Sequence, residues 1–425
     1  MKLTSAGEKE LSARDLGVYA NFTAIRAILQ PKLKENRQKI LDDVDRNMGK
    51  NPQAEKMVPF FHALANQGLN VADSFLRDAQ AATFGITIGD EGLNYSVMAD
   101  FTPGSYCGQT VQAMKTSDDV MLNGLPAGKY LFFGGWVQDP EASAKLIGDL
   151  IDPVVKELVA QSPDNASLAD YFAQIKTVFS NLKGGSFGLF APTGALGQES
   201  LIQEGGVLNG NATAIMSAQQ KIGELAPQAF KAIGMPADTF KFTYTPKAKT
   251  INGVTFDSIV TNVTPDPNNP AAAQQEQMVK LMYGPNGMTQ LIGANGDHLL
   301  FGVGLSDAQL STVIDVAKTN DAPLAALEQV KKVAGQLPAK HAFEGFCPLD
   351  QVVTTGLTYA KQFGFAVPVQ LPADLPPIGV AVSTDSATIH YDAYVPTALI
   401  QSLVAAGMQA AMQMNGGGGG GGGGM

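Results

Sequence analysis

The chain has 425 residues, a net charge of −10 and a pI near 4.9, which leaves room for two or three domains or for two interlocked halves. Its one lysine- and arginine-bearing run, Lys32 to Lys56, is mixed with Glu35, Asp42, Asp43, Asp45 and Glu55, so the basic stripe that a phosphate backbone requires is missing and nucleic acid is excluded as a partner. Charged residues make up only 16% of the chain against about 25% in an average soluble domain, a balance that suits an exported bacterial protein.

Residues 1–14 are polar and read as a disordered N-terminus. They lack the apolar core of a signal sequence. The expectation is an exported chain, periplasmic or envelope-bound, whose signal has been removed, with a cytoplasmic protein as the alternative. No apolar run approaches the roughly 18 residues of a membrane-spanning helix.

Leu16 to Phe22 reads as a strand. Thr23 to Met48 has helical spacing, with Pro31 expected to break or kink it, and Ala54 to Ala79 is a second helix. Thr83 to Pro103 then alternates Phe84, Ile86 and Ile88 with small residues. It turns at Asp90-Glu91-Gly92, where Gly92 is expected to supply a positive φ, and alternates again through Leu93, Tyr95 and Val97: a β-hairpin. A strongly apolar strand, Tyr130 to Val137, precedes a helix opened by Asp139-Pro140-Glu141. Another helix spans Leu168 to Leu182.

Hairpins follow at Ser186–Ala191 with Glu199–Leu208, at Phe240–Thr245 with Val254–Val263, and at Thr289–Gly304, where Asn295-Gly296 is placed at the turn. A linker is expected at Thr264 to Pro270. Ser306 to Gln309 is a capping box, and helices are expected at Ala322–Gly335 and Leu349–Phe363. Ile378 to Pro396 repeats the grammar of the first hairpin, with Ile389, Tyr391, Ala393 and Val395 on one face. A helix carrying Met408, Met412 and Met414 follows, its methionines read as packing residues. Nine glycines, Gly416 to Gly424, form a low-complexity tail without side chains to bury.

These elements predict an α+β protein: antiparallel sheets built from β-hairpins with helices packed on one side, and, from the echo of the first hairpin in the last, a pseudo-duplicated two-half architecture. The halves are placed at 15–182 and 183–414, followed by the tail at 415–425.

Chemistry-bearing patterns are sparse. Gly184 to Gly188 matches G-x-S-x-G around Ser186, but a helix precedes it and a strand follows, the reverse of a nucleophile elbow. Ser180 to Lys183 matches S-x-x-K at the wrong end of a helix. Gly302-Val303-Gly304 lacks the third glycine of a dinucleotide fingerprint, and Asp307 stands where a pyrophosphate belongs. Gly124 to Tyr130 is one residue short of a phosphate loop. His62, His298, His341 and His390 show no paired metal-ligand spacing, and on a strand His341 and Glu344 are expected to face opposite ways. Cys107 and Cys347 fit one disulfide or two buried thiols equally well. No catalytic, cofactor-binding or metal residue is assigned, and no cofactor is expected.

LGVYANFTAIRAIL, GITIGDEGLNYSVMADFTPGS and LPAGKYLFFGG resemble, over the first 140 residues above all, a family of exported proteins common in planctomycetes and related bacteria. Its members carry a signal peptide or lipoprotein anchor and a domain of unknown function. The resemblance implies an envelope location and carries over no catalytic residue. The function expected is that of a non-enzymatic binding or scaffolding protein of the cell envelope, its partner an envelope protein or a hydrophobic small molecule. The alternatives are a carrier holding a lipid in an apolar cleft, and a hydrolase assembling Ser186 with His298 or His341.

Overall fold

The structure, a computed structural model, describes residues 3–416 apart from 51–53, 163–164, 193, 195–196, 236–239, 265–271, 286, 363, 365–368 and 370. The tail beyond 416 and the linker at 265–270 lie outside the described residues. One antiparallel sheet organises the molecule, its strands numbered here by their order in the chain. From edge to edge it runs β1 (Leu16–Asn21), β2 (Ala79–Ile88), β3 (Gly92–Phe101), β13 (Thr388–Pro396), β12 (Ile378–Asp385), β11 (Phe343–Cys347) and β4 (Tyr130–Val137). It continues through β5 (Leu182–Phe190), β6 (Glu204–Gly210), β10 (His298–Val303), β9 (Met288–Asn295), β8 (Val254–Val263) and β7 (Phe240–Ile251). The α+β class and the hairpin-built antiparallel sheet are thus as the period-two runs predict.

The last hairpin is inserted between strands from early in the chain. β13 pairs with β3 from Thr388↔Asp100 to Pro396↔Gly92, and β11 pairs with β4. The two hairpins that echo each other in sequence therefore lie side by side, antiparallel strand against antiparallel strand.

Five helices form a row on one face: α2 (Phe22–Gly49), α3 (Val58–Asp78), α5 (Pro140–Gln161), α6 (Ala166–Asn181) and α7 (Ala212–Ala232). Ala63, Leu158, Leu168 and Ala229 seal it from within. The opposite face carries α9 (Asp307–Thr319) and α10 (Glu328–Ala334). Leu299 and Leu300 show the division. Neighbours on a strand point to opposite sides, and Leu299 packs with Ile215 of α7 while Leu300 packs with Leu310 and Ile314 of α9.

Several local expectations are corrected. Ser5–Ser12, within the stretch read as disordered, form α1, capped by Thr4. Arg14 ties it down, bridging Glu10 at 2.7 Å and Asp392 at 3.6 Å. Pro31 sits inside α2 without ending it; Arg26 and Gln30, just before it, are bonded to Leu76 O and Asp73 of α3, which fixes that turn from outside. Gly92 has no positive φ. Its lack of a side chain leaves room for the Tyr394 ring, which a Cβ would meet at 2.5 Å. The β9–β10 pairing of Asn295 with His298 moves that turn one residue on, to Gly296-Asp297.

Candidate functional site

A short helix, α4 (Tyr106–Gln112), starts at Ser105, whose hydroxyl accepts from Gly108 N. Asp139 caps α5 by accepting from Ala142 N at 2.8 Å. These two caps set α4 and α5 as the walls of a cavity of about 660 Å³ over the helix-row face of the sheet, within the roughly 300–1,000 Å³ of small-molecule sites. Its floor is a cross-strand row: Trp136 of β4, Phe343 of β11, Val382 of β12 and Tyr391 of β13 are direct register partners. Ile389, Leu146, Ala113 and Met114 complete the apolar lining, and Lys115, Lys145, Gln109 and Asp149 supply polar groups. Burial and the nearby Asp149 carboxylate push the Tyr106 phenol up to about 12, so it stays neutral and can donate a hydrogen bond.

The row continues beyond the cavity. Tyr391 pairs with Val97, Val97 with Phe84 and Phe84 with Val18, so one apolar stripe crosses seven strands, roughly 29 Å at the usual strand spacing. At the cavity's open end Tyr391 is 51% exposed, and beyond it the stripe lies open, with Val97 45% exposed, Phe84 41% and Val18 66%. Contiguous exposed apolar surface of this kind marks interaction sites.

The sequence candidates are not brought together. Ser186 Oγ donates to Asn123 O at 2.6 Å, and His298 Nδ1 lies 2.8 Å from Asn209 Oδ1. Two strand spacings and two residues separate Ser186 from His298 in the register, roughly 12 Å between their Cα atoms. Ser180 donates to Thr177 O on an exposed helix end. Gly302 to Gly304 lead into the Ser306 capping box. The Tyr130 hydroxyl donates to Pro126 O in the core. Asn21 and Asn211, which begin glycosylation-type triplets, are helix caps. Cys107 and Cys347 are free thiols on different elements, and burial raises both pKa values, Cys107 to about 11. Among the described residues no His/Cys/Asp/Glu group could hold a metal ion.

His341 and Glu344 do meet, against the strand-alternation expectation. His341 precedes β11 and bridges to Ser117, so strand geometry does not apply to it, and its Nε2 comes to 3.5 Å from Glu344 Oε2. Nδ1 lies 2.8 Å from Pro338 O. The pairing through Nε2 is electrostatic, since that atom lacks hydrogen-bond geometry. Burial works against the charged ring, but Glu344 and the Pro338 carbonyl outweigh it and the pKa is raised. Glu344 Oε1 also accepts from Met121 N at 2.9 Å.

Sequence reasoning missed the cavity residues. Val382 and Tyr391 carried the right signal, apolar residues at period two, and Trp136 lay in a strongly apolar run, but nothing local said that three distant strands would align them.

No family model matches the chain, and no curated protein matches it in sequence. Among solved structures, crystal form I of TP0453 is similar at 10% identity over 68% of this chain and 85% of that one, with a TM-score of 0.27. Crystal form III of TP0453 gives 9% identity, coverage of 68% and 98%, and a TM-score of 0.26. Likeness at this level leaves the reading to the chain's own geometry. Among the described residues no helix is long and apolar enough to cross a membrane.

Proposed function

We propose that this chain is a non-enzymatic binding protein that carries a hydrophobic small molecule of the lipid class in the cavity over Trp136. One observation carries the reading: an apolar cavity of about 660 Å³ whose floor is an in-register row of aromatic and branched side chains. Ligand sites combine such a lining with a few polar groups that orient the guest, and here Tyr106, Gln109 and Lys145 fill that role. An envelope location belongs to the same proposal, supported by the low charge content and the resemblance of the first 140 residues.

Trp136 is the sole tryptophan, so it is a built-in reporter. A brominated long-chain lipid should quench its fluorescence saturably. Leu146→Arg, a change at a partly exposed wall position on α5, should weaken that binding by about tenfold or more, equivalent to about 1.4 kcal/mol. If brominated chains leave Trp136 unquenched in the folded protein, the carrier reading is wrong. The open stripe on β13, β3, β2 and β1 favours a second reading, docking of an envelope partner protein. Cross-linking from Val97→Cys in cells of the source organism tests it, a discrete adduct supporting it and none counting against it.

A further inference from the structure

The apolar cavity shares a wall with a polar one. A cleft of about 630 Å³ between α3 and α5 is lined by Gln67, Asn70, Ser74, Arg77, Asp152 and Lys156, and both Tyr106 and Asp149 line the two spaces together. The acids of this cleft are already matched. Lys145 holds Asp149 at 2.5 Å and Lys176 holds Asp152 at 2.7 Å. Arg77 lies on Asp78, a buried carboxylate that also accepts from Cys107 N. Among the described residues Lys156 has no ion-pair partner, and the Arg77 side chain is 52% exposed. The cleft thus has one cation in excess, on a chain whose net charge is −10. Lys145 Nζ sits 5.4 Å from the Tyr106 ring centroid at the junction of the two spaces.

We infer that the double site takes an anionic amphiphile. Its carboxylate or phosphate head lies in the polar cleft beside Lys156 and Arg77, its hydrocarbon chain lies over Trp136, and Tyr106 stands at the neck. The inference rests on the carrier reading and adds the head-group chemistry to it. Charge complementarity selects the head: a cationic head would meet Lys156 and Arg77 with no free carboxylate to receive it, and an uncharged one would leave the excess charge unused. Fatty acids and lysophospholipids bearing a phosphate monoester both supply the required head.

The test uses the full chain and Trp136 quenching by three brominated ligands of equal chain length: the fatty acid, the corresponding alcohol and a lysophosphatidic acid. One or both anions should bind about tenfold tighter than the alcohol. Lys156→Gln combined with Arg77→Gln should reduce that preference to about twofold, chiefly by weakening the anions. Lys156→Gln alone, at an exposed site, should give a partial loss and keeps the test valid if the Arg77 change loosens Asp78. The ranking of the two anions tells carboxylate from phosphate. Equal affinity for anions and alcohol overturns the head-group inference and leaves the carrier reading standing. Absence of quenching by all three overturns the carrier reading itself.

Discussion

Gly135 shows how much one missing side chain decides here. A Cβ at this position would lie 1.9 Å from the carbonyl oxygen of Met121, so the 117–121 segment closes onto β4 only because residue 135 has none. Glu344 then fixes the segment by accepting from Met121 N. Gly135→Ala must push backbone apart and should cost about 1–3 kcal/mol, the usual range for overpacking, read as a lower urea midpoint with an unchanged slope. The same clasp should respond to pH. His341 has a raised pKa in the folded protein, so its contribution is fully present below the unfolded value of about 6.5 and is lost as pH rises through the folded one. Asp118, Asp119 and Lys331 line a small cavity together with this pair. The urea midpoint should therefore fall as pH rises above about 6.5. Glu344→Gln keeps the acceptor for Met121 N but removes the countercharge, and should flatten that fall. An equal slope in both proteins would assign the pH dependence elsewhere.

At the scale of elements, what was legible in the sequence is what local chemistry determines. Ser306-to-Gln309 gives a capping box with both reciprocal bonds, and Ser306→Ala should cost about 0.5–2 kcal/mol, measurable in the same urea titration. The hairpins follow from period-two runs, and the faces assigned to Ile389 and Tyr391 are those that line the cavity. The site was not legible, because its floor depends on register between strands far apart in sequence: Phe343 pairs with both Trp136 and Val382. A slip of one residue in β11 would send Phe343 to the other face, and no local signal fixes that slip. The final helix also differs from its expectation. α12 (Thr397–Gly416) holds Leu399 and Ala406 in the core, but Leu403, Val404, Met408 and Met412 are exposed, so two of the three methionines read as packing residues face solvent, and the side chain of Met414 lies outside the described residues. Val97→Lys adds a charge to the open stripe at a half-exposed position. It should change stability by less than about 0.5 kcal/mol while lowering the fluorescence of a bound apolar dye. Unchanged dye binding would show that the stripe is not the apolar surface presented to ligands.

At the scale of the whole molecule, chain order and sheet order part company. β1, β2 and β3 reach β4 and β5 only through β13, β12 and β11, which come from the last third of the sequence. A fragment ending at residue 182 keeps β1 to β3 and leaves β4 on its own: β3 loses nine cross-strand partners from Thr388 to Pro396, and β4 loses both β11 and β5. β3 turns from a central strand into an edge and β4 has no strand beside it, so both carry unpaired backbone groups and an uncovered apolar face. Residues 1–182 expressed alone should therefore be insoluble or lack cooperative unfolding. Co-expression with 183–425 should restore a soluble complex that melts in one transition, and should restore the quenching of Trp136, because the cavity floor takes Trp136 from one fragment and Phe343, Val382 and Tyr391 from the other. Independent folding of 1–182 would mean that the N-terminal strands close on each other without the C-terminal hairpin. The single sheet would then be a docked arrangement of two halves, with the ligand cavity at their seam.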